Sequence, residues 1–112
     1  MHDDSKATDF CMVLTTLDSQ ASATALAQQI VQSGLGACVQ VLDIQSFYQW
    51  QGQARQEAEC LLMIKTRSAL YAQLQDFIRE RHSYETPEIV QLPITAGWPD
   101  YLAWIDASTK SL

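Results

Sequence analysis

The stretch "ACVQVLDIQSFYQW" (37–50), with the tip "QGQ" (51–53) and the return "EAECLLMIKT" (57–66), decides the fold. The first segment is a long strand candidate, and the glycine-centred tip carries the turn signal. The last segment reads as the returning strand. Together they predict a long β-hairpin, around which the rest of the chain must be arranged.

Upstream, "FCMVLTTL" (10–17) is a short β-type run. Asp18 or Ser19 can cap a helix over 20–33, whose stripe is Leu26, Ala27, Ile30 and Val31. Gly34 stands where such a helix stops. Downstream, Ser68 can cap a second helix over 69–82, with Leu70, Leu74, Phe77 and Ile78 on one face. Pro87 forces Thr86 out of helical geometry, so that helix ends before it. "EIVQLPI" (88–94) is a fourth strand, with Pro93 at an edge or irregularity. Pro99 opens a short last helix carrying Tyr101, Leu102 and Ile105. The order β-α-β-β-α-β plus a terminal helix predicts an α+β, ferredoxin-like sandwich. Residues 1–9 are expected to form a flexible arm and 10–112 a single domain.

Composition agrees with one globular domain. Of the 112 residues, 47% are apolar and 18% charged, which excludes a disordered chain. The formal charge of −6 argues against a nucleic-acid partner. The start "MHDDSKATDF" has no signal-peptide character, and no apolar run reaches membrane-spanning length. Cys11, Cys38 and Cys60 are dispersed, with no C-x-x-C, so free thiols in a reduced, cytoplasmic setting are expected. No nucleophile elbow, phosphate loop or H-E-x-x-H motif is present, so no enzymatic activity is expected.

"CMVL" (11–14) and "CLLMI" (60–64) are apolar at successive positions. A sheet covered by helices on one side should alternate to polar residues on the other. Here both faces call for burial, and no further segment is long enough to cover the second. A second copy of the chain is the expected cover.

"GLGACVQVLDIQSFYQWQG", "LLMIKT" and "HSYETPEIVQLPITAGWPDYLAWI" together resemble the CutA family, associated with divalent-cation tolerance. The resemblance runs over about residues 11–110. It rests on the Ala-Cys strand start, the Trp-x-Gly tip, Lys-Thr before the second helix and Tyr-x-Thr-Pro-Glu. It implies a tight homotrimer built through strand pairing, binding of copper or another divalent metal in the cytoplasm, and kinship in architecture with PII signalling proteins. A PII-like module that binds a small ligand or partner protein between protomers is the alternative function.

The resemblance nominates His82 and Cys38 as metal contacts. It also shows departures. Some bacterial members hold copper with a strand-end cysteine and two adjacent histidines. Here Thr15 replaces that cysteine, and Arg81-His82 replaces the pair. Thr is a poor ligand for a soft metal and a fixed cation repels one, so metal binding is expected to be weak and to depend on His82. Each residue has a plainer reading: His82 as a helix-terminal histidine and Cys38 as a small strand thiol. Thr15, Trp50, Lys65, Tyr84, Glu85 and Glu88 are the candidates for a ligand cleft. Against this, Tyr84 can fill the gap after the helix, and Lys65 can pair with Glu57, Glu59 or Glu88.

Overall fold

The computed structural model describes residues 9–112; apart from Asp9, the expected arm over 1–9 lies outside the described residues. Four strands, β1 (Phe10–Leu17), β2 (Cys38–Trp50), β3 (Gln53–Arg67) and β4 (Ile89–Pro93), form one sheet in the order β2-β3-β1-β4. Every neighbouring pair is antiparallel. Helices α1 (Gln20–Gln32), α2 (Tyr71–Arg81) and α3 (Pro99–Ala107) complete the ferredoxin-like order with its terminal extension. Pro93 ends β4, which is an edge strand, where a missing N–H costs no ladder bond.

Local chemistry sets the boundaries. The Ser19 side chain accepts the Ser22 N–H at 3.1 Å and caps α1. At the other end Gly34, at φ 78°, lets the chain reverse. Leu35 N–H then reaches the Ile30 carbonyl and Gly34 N–H the Val31 carbonyl, the pairing of a Schellman stop. Gln51 and Gly52, both at positive φ, join β2 to β3 directly, and Trp50 faces Gln53. The second helix departs from expectation at its start. The chain leaves β3 through a 3-10 turn, Ser68–Leu70, so Ser68 is the first residue of that turn and not the cap of α2.

The alternation of the strands divides the sheet cleanly. Cys11, Val13, Leu17, Cys60, Leu62 and Ile64 point to one face and pack with Ala23, Leu26, Ile30, Leu70, Leu74 and Ile78 from α1, α2 and the turn between β3 and α2. Burying these side chains at roughly 1.5–3 kcal/mol each supplies most of the folding force. The register places Met12, Leu14, Leu61, Met63, Leu42, Val90 and Leu92 on the opposite face. That face is covered at one end only, by α3, the further element that packs against it among the described residues. α3 brings Ile105 to full burial beside it. Arg67 on this face donates to Thr109 Oγ1 at 2.9 Å and lies 3.7 Å from the Asp106 carboxylate. Elsewhere the face stays open: Leu42 is 50% exposed and Val90 44%.

β1 pairs with β3 only from Cys60 onward, so the hairpin runs past the sheet as a two-stranded arm. At about 3.3 Å per residue β3 spans about 50 Å, which accounts for a long axis of 54 Å against 25 and 21 Å. The surface of 6922 Å² exceeds the roughly 6,200 Å² expected of a compact monomer of this mass. The cysteines are all free, as expected. Among the described residues no helix is long and apolar enough to cross a membrane.

Candidate functional site

The sequence candidates fall into three places. Trp50, Tyr84, Glu85 and Glu88 line one open hollow of about 600 Å³ between the hairpin arm and the turn after α2. The alternation of β2 and β3 adds Ser46, Tyr48, Arg55, Glu57 and Glu59 to the same wall. Tyr48, Arg55 and the two β3 glutamates are site residues the sequence reading missed. Their signal was parity: once Trp50 opposes Gln53, positions 48, 55, 57 and 59 share its face.

Two hydrogen bonds order the hollow. The Tyr84 hydroxyl donates to Glu59 Oε2 at 2.7 Å, and the Tyr48 hydroxyl donates to Glu57. Burial, then the bond to Glu59, raises the Tyr84 phenol well above its ordinary range. The bond to Glu57 raises Tyr48 as well. Both phenols stay protonated because ionisation would set a phenolate against a carboxylate.

Thr15 is not in the hollow. It shares parity with Cys11, Val13 and Leu17, points to the helix-covered face and is fully buried. Its Oγ1 has no hydrogen-bond partner. Thr16, one residue on, lines the hollow instead. Lys65 is also elsewhere. It opposes Cys38 at the far end of the sheet, donates to Gln40 Oε1 at 2.6 Å and lies 5.9 Å from the Tyr101 ring. None of the expected carboxylates reaches it, because Glu57 and Glu59 lie six or more residues back along the same strand.

His82 caps the C-terminal end of α2 and borders the hollow through Tyr84. Both ring nitrogens are engaged. Nδ1 accepts the Tyr84 N–H at 3.1 Å, and Nε2 lies 2.7 Å from the Thr16 carbonyl. A carbonyl only accepts, so the proton sits on Nε2 and the ring is the neutral Nε2–H tautomer. The histidine thereby ties the turn after α2 to the end of β1, and its ring lies 4.7 Å from that of Tyr84. Cys38 is not near it. Thr16 opposes Leu61 and Cys38 opposes Lys65, a separation of four residues along β3, roughly 13 Å. Among the described residues no three of His, Cys, Asp or Glu gather to hold a metal ion.

Comparison with known proteins gives this arrangement a family. The profile described as CutA1 divalent ion tolerance protein matches residues 11–108. The chain is 34% identical to the divalent-cation tolerance protein CutA of Archaeoglobus fulgidus, over 88% of this chain and 96% of that one. It is 38% identical to the chloroplastic protein CutA of Arabidopsis thaliana over 99% of its own length but 62% of the relative's. The chain spans little more than half to about three fifths of the first plant and animal relatives it matches. The crystal structure of CutA1 from Oryza sativa superposes with a TM-score of 0.89 at 36% identity, covering 92% of this chain and 95% of that one. The family and the Archaeoglobus fulgidus relative are named for divalent ion or cation tolerance and not for a catalysed reaction. With its ferredoxin-like sheet, its hairpin arm and a match over nearly all of its length, the chain belongs to the CutA1 family of divalent ion tolerance proteins.

Proposed function

We propose that this chain acts in divalent-cation tolerance, in the cytoplasm, as a homotrimer whose contact with divalent metal, copper first, is weak. The near end-to-end match to a relative named for that tolerance carries the reading. The homotrimer is supported by the open sheet face, where Leu42 of β2 and Val90 and Leu92 of β4 are exposed and Leu14, Leu61 and Met63 of β1 and β3 are only partly covered. Further copies supply that cover and also pair the outer edges of the sheet.

The residues of one chain do not fit a tight copper site. A metal at His82 must take the Nδ1 lone pair from the Tyr84 N–H, or turn the ring away from the Thr16 carbonyl. Either loses a hydrogen bond of about 1 kcal/mol. Cys38 is too distant to join, and Thr15 faces the core. Calorimetric titration with Cu(II) tests this. Wild type should bind at micromolar affinity or weaker, and His82→Ala should bind more weakly still. Equal isotherms would remove His82 from the site, and a nanomolar site would overturn the reading of weak contact.

A second reading is favoured by the hollow itself. A concave surface of about 600 Å³ with aromatic walls and convergent polar groups suits a small ligand. It supports a PII-like regulatory module, in which a bound molecule or partner protein reports through the assembly.

A further inference from the structure

α3 is weakly built by itself. It is nine residues long, has no side-chain cap at its start and buries only Ile105 fully. A helix this short is marginal without outside support. The support comes from the residues that follow it. Lys110 donates its N–H to the carbonyl of Gly34, at the stop of α1, at 2.8 Å. The chain lies close there: a Cβ on Gly34 would come 3.0 Å from the Lys110 Cβ. Arg67, the last residue of β3, closes on the same segment. Its Nε donates to Thr109 Oγ1 at 2.9 Å, a terminal nitrogen donates to the Lys110 carbonyl, and the Asp106 carboxylate lies 3.7 Å away. Thr109 Oγ1 in turn donates to the Ile105 carbonyl at 3.0 Å. A planar, fixed cation thus ties together the last turn of α3 and the residues after it, and its charge suits a helix C-terminus.

α3 also turns aromatic side chains outward. Trp98, Tyr101 and Trp104 are 71%, 37% and 45% exposed, and the rings of Tyr101 and Trp104 stack at 5.6 Å. Tyr101 stands beside Lys65 of the open sheet face, so this aromatic side continues that face. A copy of the chain laid on the open face therefore meets α3 as well. An α3 free to move would have to be ordered during assembly, and that ordering would subtract from affinity.

We propose that residues 108–110 are a strap that fixes α3 ahead of assembly, with Arg67 as its positioning residue. The strap joins the stop of α1, on one side of the sheet, to α3 on the other. It rests on the homotrimer reading and adds the device that prepares one part of the interface.

Hydrogen exchange and a dilution series on the full chain test this together. The proteins are wild type, Arg67→Met, Thr109→Val and, as control, Arg79→Met, which loses the same charge from the exposed side of α2. Arg67→Met should speed exchange of the α3 amides at least tenfold and of the α1 amides less than twofold. Its trimer should dissociate at a concentration at least tenfold higher. Thr109→Val, which removes one contact of the strap, should shift both readings the same way by about fivefold, and it decides the matter if Arg67→Met does not fold. Arg79→Met should change neither reading more than twofold. Equal speeding in α1 and α3 would make Arg67 a general support of the fold and overturn the strap. Faster exchange in α3 with unchanged dissociation would overturn it too. A wild-type monomer would defeat the homotrimer reading and the strap's part in it. A wild-type trimer whose Arg67→Met form dissociates at the same concentration would defeat the strap alone.

Discussion

Alternate residues of the same strands build two different surfaces. On the helix-covered face Cys11, Val13, Leu62 and Ile64 are completely buried within one chain. One position along, Leu14, Leu61 and Met63 are only partly covered, and Leu42 and Val90 are about half exposed. The side chains are equally apolar on both faces. What differs is the cover: α1 and α2 span the first face, and α3 reaches one end of the second. Hydrophobic pattern therefore states how much burial a strand demands. It does not state whether the cover comes from the same chain.

The largest expected effect breaks the open face. Met63→Asp places a charge among residues that the proposed trimer buries, so assembly should fail and stability fall by about 5 kcal/mol or more. Gln73→Asp, exposed on α2, should cost under about 0.5 kcal/mol. Sedimentation and urea unfolding of both read this contrast. A Met63→Asp protein that keeps its size would mean that the two faces do not differ in the way described.

Leu62→Ala probes the finished face. It should cost about 2–5 kcal/mol through lost burial and a cavity, and the oligomer should persist where the chain is folded. Loss of assembly ahead of unfolding would show that the faces are not separable.

Tyr84→Phe acts at the rim of the open face by removing the bond to Glu59, at a cost of about 1 kcal/mol after allowance for partial exposure. It also has a pH signature. The folded phenol titrates above its ordinary value of 10.0. Its contribution is therefore full below pH 10 and is lost as pH rises through the folded value. Urea midpoints from pH 10 upward should fall less steeply in Tyr84→Phe than in wild type. Parallel slopes would remove Tyr84 from the linkage.

The smallest effect has the opposite sign. Thr15 Oγ1 is buried without a partner on the helix-covered face, whereas the Thr66 hydroxyl on the same face donates to the Leu35 carbonyl. Thr15→Val should stabilise by up to about 1 kcal/mol, read as a raised melting temperature. A loss of similar size would mean that the hydroxyl is satisfied in solution.

The elements were legible because each has a local cause: Gly34 at the helix stop, Gly52 at the hairpin tip, Pro87 and Pro99 at later boundaries. The demand of both faces for burial was legible from "CMVL" and "CLLMI". The site was legible in part. Trp50, Tyr84, Glu85 and Glu88 do meet, but Thr15 was assigned to the wrong side because one residue of parity separates a core hydroxyl from one at the cleft. Of the partners offered for Lys65, Glu57 and Glu59 lie six or more residues back along β3 and Glu88 stands before β4 at the hollow. The two hydrogen bonds of His82 depend on where the turn after α2 meets the end of β1, and no spacing in the sequence carries that.

Light scattering of the wild-type chain across a dilution series, with circular dichroism on the same samples, tests the unfinished face most directly. A trimer is expected at micromolar concentration, with a melting temperature that rises with concentration because folding and assembly are linked. A monodisperse monomer at micromolar concentration, still folded and with a melting temperature independent of concentration, would contradict it.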